Sequence, residues 1–122
     1  MPENQVLVVE DHIPIATLLT VLAERCGAQV SRADNGRTAL EMMRRQRPDL
    51  VLLDLTMPVM SGQELLAIME TDPGLRDIPV AVITTSENVD EVLERRVPHL
   101  RKPFDPAEVQ RLITQMLAGV GA

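Results

Sequence analysis

Pro48-Asp49-Leu50-Val51-Leu52-Leu53-Asp54-Leu55-Thr56-Met57-Pro58-Val59-Met60-Ser61-Gly62-Gln63-Glu64-Leu65-Leu66 is the stretch on which the fold turns. Leu50 to Leu53 form a short continuous apolar run, which suits a strand buried on both faces, and Asp54 stands where that strand leaves its sheet. Met57-Pro58 bars an immediate helix, because proline restricts the residue before it. Ser61-Gly62 then opens a segment with helical spacing at Leu65, Leu66 and Met69. The stretch therefore reads as strand, acid, turn, helix.

Working outward, the same unit repeats. Gln5 to Val9 is a β-branched and leucine run ended by Glu10, Asp11 and His12, so the first strand also delivers carboxylates at its end. The spacing of Ile15, Leu18, Leu19 and Leu22 predicts a helix over 13–26, with Pro14 in its first turn and Gly27 as its stop. Val30 marks a second strand over 28–32, followed by the turn signal Ala33-Asp34-Asn35-Gly36. Ala39, Leu40 and Met43 give an amphipathic helix over 37–46, closed at Arg47-Pro48. After the helix over 62–70 and a loop, Val80 to Ile83 form a fourth strand that ends in Thr84, Thr85 and Ser86. A short, strongly charged helix is predicted over 87–95, held by few apolar positions. Pro98 to Arg101 is the fifth strand and Lys102 follows it; the last helix starts at Pro106 behind an Asp105 cap and runs to about Leu117. Ala118 to Ala122 reads as a small-residue tail.

Composition narrows the function classes. A chain of 122 residues is one domain by length and can hold a core without staples. Hydrophobic content of 45% and charged content of 25% are ordinary, but Phe104 is the only aromatic residue, so aliphatics and methionines such as Met42, Met43, Met57, Met60, Met69 and Met116 fill the interior. The net charge of −6 argues against direct nucleic-acid binding. Cys26 has no partner for a disulfide and reads as a packed thiol near a helix end. No apolar stretch approaches the roughly 18 residues of a membrane span. A cytoplasmic protein is expected.

Five strand-helix pairs in alternation imply a parallel sheet covered on both faces, with all strand C-termini on one edge. Glu10, Asp11, Asp54, Thr84 and Lys102 each follow a strand end in this reading, so they gather where open α/β sheets bind ligands. Carboxylates that close repel: at about 5 Å and an effective dielectric near 20, each charged pair costs roughly 3 kcal/mol. A hard divalent cation suits them, and Mg²⁺ prefers one or two carboxylates plus waters and phosphate oxygens. Lys102 adds a positive charge and Thr84 a hydroxyl, as a phosphoryl group on an Asp oxygen would require. His12 and His99 lack metal-ligand partners at suitable spacing.

Val-Glu10-Asp11, Leu-Leu-Asp54-Leu-Thr-Met57-Pro58 with Gly62 following, Ile-Thr84 and Lys102-Pro103-Phe104 together resemble the receiver domains of two-component response regulators. The match covers nearly the whole chain, with a core of about 4–118. The resemblance implies a single-domain α/β fold of the (βα)5 flavodoxin-like kind, a doubly wound five-stranded parallel sheet in the order 2-1-3-4-5. It implies Asp54 as phosphoacceptor, Asp11 and Asp54 as direct Mg²⁺ ligands, Glu10 shaping the site through water, and the Thr56 backbone carbonyl as the third protein ligand. Thr84 is implied as the switch hydroxyl and Lys102 as the phosphate-pairing cation, with a cis Lys102-Pro103 bond. A sensor histidine kinase or phosphotransfer protein would supply the phosphoryl group, and the face built from the fourth helix, fifth strand and last helix would meet an effector protein or output domain. Homodimerisation is left open. Such a domain promotes its own phosphorylation and dephosphorylation and is not a turnover enzyme on external substrates.

Three positions depart from the family pattern. From Thr84 to Lys102 the chain advances only 18 positions and lacks the small Gly-Ala turn before the fifth strand, so the fourth helix is expected to be shortened or irregular. His99 stands where most members carry a coupled Tyr or Phe, and Thr85 replaces the usual small alanine. The alternative is a degenerate receiver, a protein-binding module whose phosphorylation is uncoupled from output. A flavodoxin-like electron carrier shares the sheet, but Glu10-Asp11 would repel its cofactor phosphate. A phosphatase of the haloacid dehalogenase type wants an acid where Thr56 stands.

Overall fold

The structure is a computed structural model and describes residues 3–55, 57, 59–85 and 97–120. Its elements alternate: β1 (Gln5–Val9), α1 (Ile13–Arg25), β2 (Gln29–Ala33), α2 (Gly36–Arg45), β3 (Leu50–Leu53), α3 (Gly62–Thr71), β4 (Val80–Thr84), β5 (His99–Arg101) and α4 (Pro106–Val120). The charged helix predicted over 87–95, and with it the expected shortening of the fourth helix, lies outside the described residues. The C-terminal helix is therefore α4 here. The strands form one parallel sheet in the order β2-β1-β3-β4-β5, as the resemblance implied.

Continuous apolar strands make this a two-sided core. Val6, Val8, Leu50, Leu52, Ala81 and Ile83 point to the face covered by α1 and α4, where Leu19, Leu22, Val109 and Ile113 pack against them. Their alternates Leu7, Val9, Val51, Leu53 and Val82 face α2 and α3, meeting Ala39, Met43, Leu65 and Met69. Burying such side chains contributes roughly 1.5–3 kcal/mol each before chain entropy is charged against it. Met43 and Met69 are buried, while Met42, Met57, Met60 and Met116 pack at the margins of the two clusters. The methionines thus fill the gaps that aromatic rings occupy in other cores.

Element ends follow local chemistry, with small shifts from the sequence expectation. Gly27 adopts φ 86 just beyond α1, a left-handed stop that a side chain would resist. Asn35, read as part of a turn, is the N-cap of α2: its side chain accepts from the Thr38 N–H at 2.9 Å. Ser61 caps α3 by accepting from the Glu64 N–H, and the Asp105 carboxylate accepts from the Ala107 N–H at the start of α4. α4 continues to Val120, so Ala118 and Gly119 are helical and the small-residue tail is shorter than expected. Ala118 favours a helix, and no atom crowds Gly119. β2 runs one residue later than predicted, because Ala33 pairs with Val9. Cys26 is only half-buried at the end of α1, its sulfur 3.4 Å from the Thr114 hydroxyl of α4, rather than enclosed in the core.

Candidate functional site

Backbone ladders carry the site residues to one rim of the sheet. The Glu10 N–H donates to the Ala33 carbonyl, extending the β1–β2 ladder by one rung, and the Asp54 N–H donates to the Val9 carbonyl between β3 and β1. At the far edge the Lys102 N–H donates to the Thr84 carbonyl at 2.6 Å. Asp11 follows in the bend before α1 and is exposed, while Glu10 and Asp54 are buried. One carboxylate oxygen from each of Glu10, Asp11 and Asp54 lies within 4.8 Å of the others. The acids drawn together from β1 and β3 in the sequence are therefore neighbours in space.

Lys102 reaches this cluster from the opposite side. Its ammonium donates to Glu10 Oε1 at 2.6 Å and stands 3.6 Å from Asp54 Oδ1. Its side chain is 16% exposed and that of Glu10 only 1%, so the pair is shielded from solvent screening. A direct Glu10–Lys102 contact was not foreseen, since 92 positions separate the two residues and local pattern carries no sign of it. Burial, followed by the neighbouring Asp54 carboxylate, pushes the Glu10 carboxyl up to about 7, although Lys102 pulls the other way. The Lys102-Pro103 bond is cis, as the resemblance implied.

Two buried polar atoms find no hydrogen-bond partner among the described residues: Glu10 Oε2 and Thr84 Oγ1. Thr84 is the last residue of β4 rather than the first beyond it, and it is fully buried. Leaving a buried polar group unpaired costs about 1–3 kcal/mol, so two at one rim mark a place shaped for something else. The donor set fits a hard cation: among the described residues it is three carboxylates with an unpaired oxygen and no sulfur or imidazole. Thr56, whose carbonyl was expected as a further ligand, lies outside the described residues.

His99 is half-buried on β5 opposite Val82, one pleat away from the Thr84–Arg101 pair, and its Nδ1 lies 3.3 Å from the Val97 carbonyl. Residues paired in a parallel ladder share a face, so His99 and Thr84 belong to the same side of the sheet. The loop between Asp54 and α3 contains a feature the sequence did not announce. Val59 has φ 68 and is 75% exposed, a left-handed conformation that costs a β-branched residue about 1–2 kcal/mol.

The profile of the response regulator receiver domain matches residues 6–114. The chain belongs to that family. Sporulation initiation phosphotransferase F of Bacillus subtilis is 34% identical over 122 residues, covering 96% of this chain and 96% of its own length. Among solved structures, the signal receiver domain of a signal transduction histidine kinase from Syntrophus aciditrophicus superposes with a TM-score of 0.88 at 31% identity, covering 96% of this chain and 92% of that one. The receiver domain of sensor histidine kinase PA1611 from Pseudomonas aeruginosa, solved with a magnesium ion in its active site cleft, gives a TM-score of 0.85 at 25% identity over 99% and 100% of the two chains. The receiver is thus a two-component signalling module, and its doubly wound flavodoxin-like fold is the family's. Among the described residues no helix is long and apolar enough to cross a membrane.

Proposed function

We propose that this receiver is a Mg²⁺-dependent phosphoacceptor, with Asp54 taking a phosphoryl group from a histidine of a sensor kinase or phosphotransfer protein in the cytoplasm. The observation that carries the reading is the meeting of Lys102 with Glu10 and Asp54 at a rim where Glu10 Oε2 and Thr84 Oγ1 are buried without partners among the described residues. Glu10, Asp11 and Asp54 would hold the cation. When bound, Mg²⁺ offsets the carboxylate repulsion and withdraws charge from phosphoryl oxygens.

The chain's own groups do the rest. An Asp54 oxygen attacks phosphorus in line, the bond from phosphorus to the donor imidazole breaks, and the electron pair leaves with the imidazole nitrogen. Lys102 already stands 3.6 Å from Asp54 Oδ1, so it exchanges carboxylate contact for a phosphoryl oxygen with little movement. The Thr84 hydroxyl, which has no acceptor among the described residues, donates to another phosphoryl oxygen. That shift, passed along the face shared with His99, changes affinity for an effector protein or output domain. The receiver acts on its own Asp54 and turns over no external substrate.

Intact mass after treatment with acetyl phosphate and Mg²⁺ tests this, comparing the parent with Asp54→Asn. One added phosphate in the parent and none in the variant is expected. A gain in both would move the acceptor elsewhere, and a gain in neither would leave a degenerate, protein-binding receiver. Beryllofluoride with Mg²⁺ should also shift amide signals around Thr84 and His99; shifts confined to the acid pocket would separate phosphorylation from output.

A further inference from the structure

Two helices begin with buried glycines, and both glycines lie against the loop that carries the proposed phosphoacceptor. At one end of the loop the Gly62 N–H donates to the Leu55 carbonyl at 2.9 Å, and a β carbon on Gly62 would meet the Asp54 carbonyl and stand 2.6 Å from Leu55 Cα. At the other end the Gly36 N–H donates to the Met60 carbonyl at 2.9 Å. A β carbon on Gly36 would stand 2.8 Å from that same carbonyl oxygen and 2.9 Å from Met60 Cγ. Real β carbons do not come so near to backbone, so the contact exists only because residue 36 has none.

α2 contributes no acid to the pocket, yet its first residue touches the pocket's loop. Its N-terminus is itself firm, since Asn35 Oδ1 accepts from the Thr38 N–H at 2.9 Å and Ala39 is fully buried. Val59, immediately before Met60, is held at φ 68, and a strained residue persists only where its surroundings over-determine it. The two glycine contacts, at Leu55 and at Met60, stand on either side of it along the loop.

We propose that Gly36 is a positioning residue for the acid pocket: its N–H, unobstructed by a side chain, holds the Met60 end of the Asp54 loop where the pocket's carboxylates converge. This rests on the phosphoacceptor reading for its purpose, but the holding of the loop stands apart from it. A β carbon at position 36 displaces the Met60 carbonyl by a few tenths of an ångström, because helix and loop are both backbone there. Outer-shell partners of metal ligands commonly govern affinity by about 10–100-fold, and Gly36, which holds the loop running on from Asp54 and not a ligand itself, is expected at the low end of that range.

The full chain, labelled with ¹⁵N, is compared by amide NMR with Gly36→Ala, Met60→Ala and Gly119→Ala. Without metal, Gly36→Ala is expected to move the signals of Leu55, Met57, Val59 and Met60. With Mg²⁺, it raises Kd about tenfold. Met60→Ala keeps the carbonyl and removes only the side chain, and Gly119→Ala adds a β carbon in open space; apart from the substituted residue and its sequence neighbours, both should retain the parent signals, those of Leu55 and Met57 included, and the parent Kd. A Gly36→Ala protein that melts earlier but keeps both overturns the proposal, as does a Met60→Ala protein that reproduces the Gly36→Ala changes. Should Gly36→Ala not fold, exchange of the Gly36 amide in the parent decides: slow exchange supports the hydrogen bond to Met60 and fast exchange overturns it. A parent that binds no Mg²⁺ sinks the phosphoacceptor reading, while the metal-free loop signals still judge Gly36.

Discussion

The two ends of the sheet are built on opposite terms. At the end where strands begin, polar groups are paired: the Gln5 N–H donates to Asp49 Oδ2 at 2.7 Å, and at the exposed surface Arg44 meets Asp72 at 3.2 Å and Arg47 donates to the Gly74 carbonyl. At the end where strands finish, three carboxylates crowd one lysine, and two buried oxygens lack partners among the described residues. The first end is complete as folded. On the phosphoacceptor reading proposed above, a ligand would complete the second, and stability would be given up there in return for binding.

If that contrast is right, proton concentration should act most strongly on the second end. Glu10 has its carboxyl raised from 4.5 to about 7, so between those values the folded chain holds a proton that the unfolded chain releases. Its stabilising contribution is therefore full below about pH 4.5 and lost as pH rises through 7. Urea unfolding of metal-free protein should show a fall of up to about 3 kcal/mol from this group across that window. Glu10→Gln should flatten the fall; an unchanged slope in that variant would place its origin elsewhere.

Thr84→Val keeps the shape and removes the orphaned hydroxyl, and should stabilise the unphosphorylated receiver by about 1 kcal/mol while abolishing the beryllofluoride response at His99. A loss of stability instead would mean that the hydroxyl has a partner. Val59→Gly should raise stability by roughly 0.5–1 kcal/mol, since relief of the left-handed backbone outweighs the added chain entropy. Equal or lower stability in urea would show that Val59 is not strained. Least of all, Arg44→Gln should leave the melting midpoint unchanged, because the Arg44–Asp72 pair lies at the surface. Asp72, held below the usual carboxylate range by its bond from the Gly74 N–H and then by Arg44, loses that contribution as pH falls through its lowered value.

Much of the architecture was legible because its signals are local. Strands buried on both faces appear as unbroken apolar runs, so Leu50–Leu53 could be read residue by residue. Prolines and capping residues limited the helices to within a few positions, the largest error being at the end of α4, where a glycine with free space around it does not stop a helix. The rim was legible for a different reason: a parallel sheet sends every strand end to one edge, and the strand order implied by the resemblance puts β1 beside β3 there. Contacts between distant positions were not legible. The sequence could place Lys102 at the rim but not on Glu10, and it could place Gly36 before a helix but not against Met60.

By itself, then, the sequence determined the alternation of elements, the rim on which Glu10, Asp11, Asp54, Thr84 and Lys102 collect, and through their pattern the family. Only the tertiary structure decided which of those groups are satisfied. Pairing at 2.6 Å, an oxygen left bare and a carbonyl too close for a β carbon are facts of three-dimensional packing, where side chains separated by dozens of residues compete for the same few ångströms.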